Sequence, residues 1–123
     1  ISKYLVDDEE LIPSHLLEAI NFNTIVVTIN LMFDLITEAY EKGDVKIARK
    51  IFKKDKILDK INLQSFAILE EEIKKDISIT GKALILLSVT KKCERVGDLL
   101  KNIAEEIIFY LDAEVLKHRK KKK

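Results

Sequence analysis

The sequence contains few of the residues that interrupt regular secondary structure. Its 123 residues include three glycines and one proline, so sharp turns must be few. A chain of this length with few turns consists of few, long elements. The strict alternation of polar and apolar residues that marks half-buried strands is also scarce, so these elements are predicted to be helices. A hydrophobic content of 47% is sufficient for the core of one domain.

Cysteine is nearly absent as well. The single residue, Cys93, excludes a disulfide within the chain, and its place on an apolar seam predicts a small buried side chain. No signal peptide is recognisable, and the most apolar run, Thr24 to Phe33, is too short for a bilayer and is broken by Asn30. We therefore expect a cytoplasmic domain. Because the chain begins at Ile1 and not at methionine, we expect it to be a piece of a longer protein.

The net charge of +1 hides an uneven distribution. Six of the 22 basic residues lie between Lys117 and Lys123, which leaves the preceding chain with five more acidic than basic residues. Nucleic-acid binding requires a basic face, so an acidic body argues against a nucleic-acid partner. The basic tail, 119–123, is typical of a solvated terminus, although contact with phosphates or anionic lipid stays open.

The turn-forming residues divide the chain into three long helices. Pro13 and the Ser14 hydroxyl are typical of a helix start, Gly43 of a helix end, and Asp44 of the N-cap that follows. The predicted helices run from about Ile12 to Lys42, from Val45 to about Lys75, and from about Gly81 to Leu116. The predicted fold is an all-α, antiparallel up-down-up three-helix bundle with long, spectrin-like helices over 12–118, entered through a linker at 1–11.

Apolar periodicity predicts the inward faces of these helices. On the first helix the inner face comprises Leu16, Ile20, Val27, Leu31 and Leu35. The second carries one hydrophobic seam, Ile47, Ile51, Leu58, Ile61 and Ile68, beside a stripe with an acidic middle, Ala48, Phe52, Asp55, Asp59, Asn62, Phe66, Leu69 and Ile73. The third carries the seam Val89, Cys93, Val96, Leu100, Ile103 and Ile107 beside the polar stripe Glu94, Asp98, Asn102 and Glu105.

The two acidic stripes are predicted to meet. The connection between the second and third helices is centred near Ser78. Counting residues in both directions from it, at the helical rise, places Asp55 and Asp59 within about one helical turn of Glu94 and Asp98. Gly97 lies among them, where glycine costs about 1 kcal/mol relative to alanine, and this cost is best explained by close approach of another backbone.

Four carboxylates beside a core repel one another, and this cost is relieved by protonation, by basic partners or by a bound cation. Oxygen ligands favour hard cations such as Mg²⁺, Ca²⁺, Mn²⁺ or ferric iron, and zinc also accepts them. The alternative is a pair of ordinary surface stripes neutralised by Arg95, Lys91 or Lys56.

Catalytic chemistry is not indicated. His15 and His118 lie near helix ends, away from the acids, so the histidine-containing pairs of di-iron bundles are missing. Asp34 and Glu38, another acidic pair, are interpreted as an exposed face. No phosphate-binding glycine loop and no supported nucleophile–base set is found, so we expect a protein that is not an enzyme.

Two segments carry a family resemblance. The run Glu-Arg-Val-Gly-Asp-x-x-x-Asn-Ile-Ala-Glu, Glu94 to Glu105, resembles the signature helix of PhoU domains, regulators of bacterial phosphate transport. Gly43 to Ala48 followed by Lys54 to Asp59 resembles the matching part of the preceding helix, so the acidic motif occurs twice, in the right order.

The resemblance implies a three-helix repeat whose acidic motifs bind multinuclear iron or zinc clusters and which restrains phosphate uptake or signalling. It points to a metal site at Asp55, Asp59, Glu94 and Asp98. The implied partner is a membrane phosphate transporter, or a covalently attached transmembrane part as in proteins related to sodium/phosphate cotransporters, at the inner face of the membrane. The next interpretation is a free-standing protein with one of the two repeats of a PhoU protein, which forms a homodimer. The alternative function is a metal-free helical interaction or dimerisation module.

Overall fold

The computed structural model describes the backbone of residues 12–121 and the side chains of residues 12–117. The helices are α1 (Ser14–Ala19), α2 (Phe22–Lys42), α3 (Val45–Lys75) and α4 (Thr80–Lys121), with a short 3₁₀ helix at Ile77–Ile79. No strand occurs within this part of the chain. The three long helices pack against one another, α3 most extensively against α4, so the all-α bundle is confirmed. The predicted linker at 1–11 lies outside the described residues.

The connection between α2 and α3 forms as its sequence predicts. Gly43 adopts a left-handed conformation with φ of 61°, which favours glycine. The Asp44 side chain then accepts a hydrogen bond of 2.8 Å from the backbone N–H of Lys46. Reversal and restart of the helix therefore depend on two adjacent residues.

A second aspartate organises the connection between α3 and α4. The Asp76 carboxylate accepts hydrogen bonds from the backbone N–H of Ser78, at 3.1 Å, and from its hydroxyl, at 2.6 Å. Ile79 in the 3₁₀ helix is buried. α4 then begins at Thr80 and extends to Lys121, beyond the predicted end at Leu116.

The first predicted helix is interrupted. Asn21 adopts a left-handed conformation with φ of 60° and separates α1 from α2, so the prediction of one continuous helix is wrong. The predicted cap is also wrong, because Pro13 occupies the N-cap position of α1 and no side chain caps this end. The break turns α1 so that Ile12, Leu16 and Ile20 are all buried in the core.

This break also corrects the inner face of α2. Val27 and Leu31 are 48% and 42% exposed, although periodicity counted from Leu16 and Ile20 placed them inside. The non-helical residue Asn21 shifts the phase, so spacings counted across it no longer hold. The residues that α2 buries are Phe22, Ile25, Thr28, Met32 and Ala39.

The other seams are placed more nearly as predicted. Ile47, Ile51, Leu58 and Ile61 of α3 are buried, and Ile68 packs against the core. Phe66 and Ile103 were assigned to inward stripes but are 59% and 45% exposed, which corrects those two assignments. Ile103 lies at one edge of its stripe, about 40° from the line through Val89 and Ile107, whereas the whole stripe that contains Phe66 lies to one side of the buried seam of α3.

By length and composition alone, α2 is apolar enough to cross a membrane. Only 28% of its most apolar window is buried within the bundle. Much of its hydrophobic character therefore lies on the outside of the described domain.

Candidate metal centre

The candidate centre lies at Gly97, where side chains of α3 approach α4 closely. A Cβ atom on Gly97 would lie 2.6 Å from Cδ1 of Leu58 and 3.2 Å from Oδ1 of Asp55. Leu58 is buried, so its side chain has little room to move. The prediction that another backbone approaches this glycine is corrected: the atoms that leave no room for a Cβ belong to side chains of the neighbouring helix.

Three carboxylates meet at this contact. One oxygen atom each from Asp55, Asp59 and Asp98 lies within 4.8 Å of the others. Asp55 and Asp59 project from consecutive turns of α3, and Asp98 projects from α4 one residue after Gly97. The spacing of four residues on α3 and the antiparallel helix pair thus bring together three of the four predicted site residues.

Asp55 is the innermost carboxylate. Its side chain is 3% exposed, and its Oδ1 atom is buried without a hydrogen-bond partner. Burial, followed by repulsion from Asp59, raises the pKa of Asp55 above its ordinary value of 3.8. An unpartnered carboxylate oxygen inside a protein is costly, so a positive group directed at it would stabilise the fold.

One cation already lies next to Asp55. Nζ of Lys101 is 3.5 Å from Oδ2 of Asp55, and the Coulomb attraction of this carboxylate raises the pKa of Lys101. Sequence reasoning missed this residue. The available signal was its position three residues after Asp98 on α4, which places both on one helical face.

The basic residues proposed from the sequence behave differently. Among the described side chains, no ion pair joins Arg95, Lys91 or Lys56 to the cluster. Asp34 and Glu38 lie on the outer face of α2, as predicted, and Glu38 pairs with Lys42 at 2.9 Å. Among the described side chains, a surface ion pair therefore neutralises Glu38, whereas most of the Asp55 cluster has no basic partner.

Glu94 lies at the edge of the cluster. It is not part of the group whose oxygen atoms lie within 4.8 Å of one another. Burial first, and then repulsion from Asp59 and Asp98, raises the pKa of Glu94, whereas a hydrogen bond with the Asn62 side chain lowers it. The Oδ1 atom of Asn62 is buried without a hydrogen-bond partner. Glu94 is thus within electrostatic range of the three aspartates, at the side of the cluster near Asn62.

The other two residues of the polar stripe predicted on α4, Asn102 and Glu105, lie away from the acidic cluster. Asn102 lines a groove between α2 and α4, and Glu105 is exposed. Steps of four residues on an α-helix accumulate about 40° each, so Asn102 has turned away from Glu94 by about 80°. Cys93 was predicted to be buried but is half-buried, and this burial raises the pKa of its thiol.

The chemistry of the donor set suits a hard cation. Three carboxylates, one of them with a buried unpartnered oxygen, offer oxygen ligands and negative charge in excess of the single lysine nearby. A bound cation would supply attraction to all three and remove their mutual repulsion. The arrangement can therefore hold a metal that joins α3 to α4.

Comparison with known proteins adds a family. The PhoU domain matches residues 23–107, more than half of the chain and a range that contains both acidic pairs. The phosphate-specific transport system accessory protein PhoU homolog 1 of Thermotoga maritima is 29% identical over 72 residues. That segment is 58% of this chain and 31% of the relative, so the chain spans under a third of that protein's length. No solved structure matches the chain.

Proposed function

The chain belongs to the PhoU domain family, and from this premise we propose that it is a non-enzymatic regulatory domain of phosphate transport or phosphate signalling. The observation that carries the proposal is the family match over 23–107, which includes the acidic contact between α3 and α4. The name of the Thermotoga maritima relative, an accessory protein of phosphate-specific transport, agrees with this role.

We propose further that Asp55, Asp59, Glu94 and Asp98 bind iron, zinc or another hard divalent cation. The proximity of the three aspartates, the unpartnered Oδ1 of Asp55 and the raised pKa of Glu94 support this assignment. In this proposal the metal fixes α3 against α4, and the rigid pair presents a surface to the partner. Glu94 enters by a rotamer change toward the aspartates.

The proposed partner is a membrane phosphate transporter, or a transmembrane part of the same protein related to sodium/phosphate cotransporters. This places the domain in the cytoplasm at the inner face of the membrane. In the source cell, removing the coding sequence is expected to raise phosphate uptake when phosphate is abundant, as measured with radiolabelled phosphate. Unchanged uptake would argue against a restraining role.

Elemental analysis of the purified chain, as isolated and after loading with iron, zinc, manganese or magnesium, tests the metal. Stoichiometric metal is expected in the wild type and is expected to be lost from the Asp59→Ala, Glu94→Ala double variant. The matched control is Asp34→Ala, Glu38→Ala, which also removes two carboxylates, but from the outer face of α2 and outside the acidic cluster. Metal content and melting temperature that are equal in all three proteins would contradict the metal site.

The second candidate function is a metal-free helical interaction or dimerisation module. A specific observation favours it, namely the apolar groove between α2 and α4, where Tyr40 and Tyr110 are 78% and 63% exposed. Concentration-dependent association without any bound metal would favour this function over metal-dependent regulation.

A further inference from the structure

The C-terminal end of α4 extends past the packed part of the bundle. Leu111, which lies beside Gly43 at the connection between α2 and α3, is the last described side chain of α4 that is even partly buried. The side chains of 112–117 are all exposed, and the helix nevertheless continues to Lys121. At the helical rise, the helix after Leu111 is about 15 Å long. Little tertiary packing stabilises this segment, so contact with another surface would add stability.

The same segment concentrates positive charge. We call residues 109–123 the α4 end. It contains six basic residues, Lys117 and 119–123, against two acidic ones, Asp112 and Glu114. The remaining 108 residues contain 16 basic and 19 acidic residues. Cations near the C-terminus of a helix also interact favourably with its dipole. The α4 end is therefore a local positive region on an acidic domain, and it attracts anionic surfaces.

Exposed apolar side chains accompany this charge. Phe109 and Leu116 are 75% and 60% exposed. Their spacing of seven residues places them on one face of α4, and Lys120 follows four residues later on that face. Glu114 lies on another side of the helix, beside Val45 at the start of α3. The outward face of the α4 end thus combines apolar and basic residues.

This combination is typical of helices that lie on an anionic membrane surface. Such helices place apolar side chains at the boundary between headgroups and acyl chains, while basic residues attract the anionic headgroups. Nucleic acid fits less well, because its phosphate backbone offers no apolar region to Phe109 and Leu116. A flat bilayer also touches the projecting end of the helix alone, so the acidic body stays away from the negative surface.

We propose that the α4 end binds the surface of an anionic bilayer, with Phe109 and Leu116 at the boundary between headgroups and acyl chains. Lys117 and 119–123 then lie among the lipid phosphates. Asp98 of the acidic cluster is about 17 Å from Phe109 along α4, so this contact requires no metal. The inference rests on the proposed function in one respect, the cytoplasmic leaflet as the membrane that is met, and that leaflet is negatively charged.

Co-sedimentation of the 123-residue chain with lipid vesicles, in chelator, tests the charge contact. The wild type is expected to bind phosphatidylcholine vesicles that contain about one-third phosphatidylglycerol, and not vesicles of phosphatidylcholine alone. Binding is expected to weaken as salt is added. Lys120→Glu, Lys121→Glu is expected to weaken it about tenfold or more. The matched control, Lys91→Glu, Lys92→Glu, makes the same charge change about 43 Å away on α4 and is expected to bind like the wild type.

Fluorescence tests the apolar contact. The chain contains no tryptophan, so Phe109→Trp supplies a single indole at the proposed contact. Its emission is expected to shift to shorter wavelength with the anionic vesicles, because the indole leaves water for the membrane interface. Leu63→Trp is the control, since Leu63 is 78% exposed on α3, about 27 Å along that helix from Val45. Its emission is expected to stay unchanged.

Four results would overturn the proposal. Equal binding to both kinds of vesicle, or binding to neither, would exclude recognition of anionic lipid. Binding that Lys120→Glu, Lys121→Glu leaves unchanged would place the contact on another surface. An unshifted emission of vesicle-bound Phe109→Trp would contradict the apolar contact. Tighter binding to duplex DNA than to anionic vesicles at equal phosphate concentration would identify nucleic acid as the partner.

These outcomes are separate from those of the proposed function. The vesicle measurements contain no metal, free phosphate or transporter, so failure to bind lipid would leave regulation of phosphate transport standing. Conversely, phosphate uptake that is unchanged when the coding sequence is removed would contradict the restraining role and would not alter vesicle binding.

Discussion

Nζ of Lys101 lies 3.5 Å from Oδ2 of Asp55, although the lysine side chain is 36% exposed and the aspartate side chain only 3%. The pair therefore connects solvent to the most buried carboxylate of the cluster. A lysine at this position can move into water at little cost, because its charge is already largely hydrated. In the proposed metal site, Lys101 thus competes with the cation for Asp55.

Replacing this lysine separates its two effects. Lys101→Met keeps most of the apolar stem but removes the charge, so metal-free protein is expected to lose about 1 kcal/mol of stability. The same variant is expected to bind divalent cations several-fold more tightly, because the competing charge is gone. Denaturation in chelator and calorimetric titration with metal measure the two effects. Lys91→Met is the control, and weaker metal binding by Lys101→Met would contradict competition.

Asp55→Asn is expected to have effects opposite to those of Lys101→Met on both stability in chelator and metal binding. The amide keeps the shape of the side chain but removes a buried charge that faces Asp59 and Asp98. In chelator the variant is expected to be more stable than the wild type by about 1 kcal/mol. Added metal is expected to stabilise the wild type and not the variant, because a ligand stabilises only the state that binds it. A variant that is less stable without metal would show that the negative charge is already compensated.

The same carboxylates predict a pH dependence. The folded pKa of Asp55 is raised, so as pH rises above its ordinary value of 3.8 the unfolded chain loses this proton before the folded chain does. Stability from this group is therefore fully present below that value and falls as pH rises through the raised folded pKa. Glu94 acts in the same direction, because its pKa is raised from 4.5.

Comparison of wild type with Asp55→Asn isolates this effect. In chelator the stability difference between the two proteins is expected to be small near pH 4. It is expected to grow in favour of the variant toward pH 7, as the Asp55 carboxylate of the folded wild type ionises. Urea unfolding at several pH values measures it. A difference that is constant with pH would mean that Asp55 titrates alike in the folded and unfolded chains.

Close packing at Gly97 predicts that a larger side chain there destabilises the fold, and Gly81 provides the control position. Alanine at Gly97 gains about 1 kcal/mol of helix propensity but places its Cβ against Leu58 and Asp55. Because Leu58 is buried, Gly97→Ala is expected to lose about 1–2 kcal/mol overall. At Gly81 a Cβ would have no neighbour within 4 Å, so Gly81→Ala is expected to be neutral or stabilising. Thermal unfolding measures both, and equal effects would exclude close approach at Gly97.

These residues show which parts of the molecule are readable from the sequence. The turn at Gly43 and Asp44 is local, because each residue satisfies a requirement of its own neighbours. The meeting of Asp55, Asp59 and Asp98 follows from helical spacing and chain length, which depend little on tertiary detail. That these residues bind metal stays a prediction.

Other parts depend on contacts between helices. Lys101 is identified as the partner of Asp55 only when the rotation of α4 against α3 is known, because Arg95 and Lys101 both lie three residues from Asp98 and, among the described side chains, Lys101 is the one that pairs with Asp55. The break at Asn21 is similar, because asparagine fits both a helix and a left-handed turn. Burial of Leu16 and Ile20 against the end of the bundle selects the turn.

The break yields the last prediction. Asn21 has a φ of 60°, a conformation that costs residues other than glycine, asparagine and aspartate about 1–2 kcal/mol. Asn21→Ala is therefore expected to destabilise the chain by about that amount, whereas Asn21→Gly is expected to be nearly neutral. Asn23→Ala is the control, because Asn23 lies exposed in the first turn of α2, where alanine improves helix propensity. If Asn21→Ala stabilised the chain as Asn23→Ala does, a continuous first helix would replace the break.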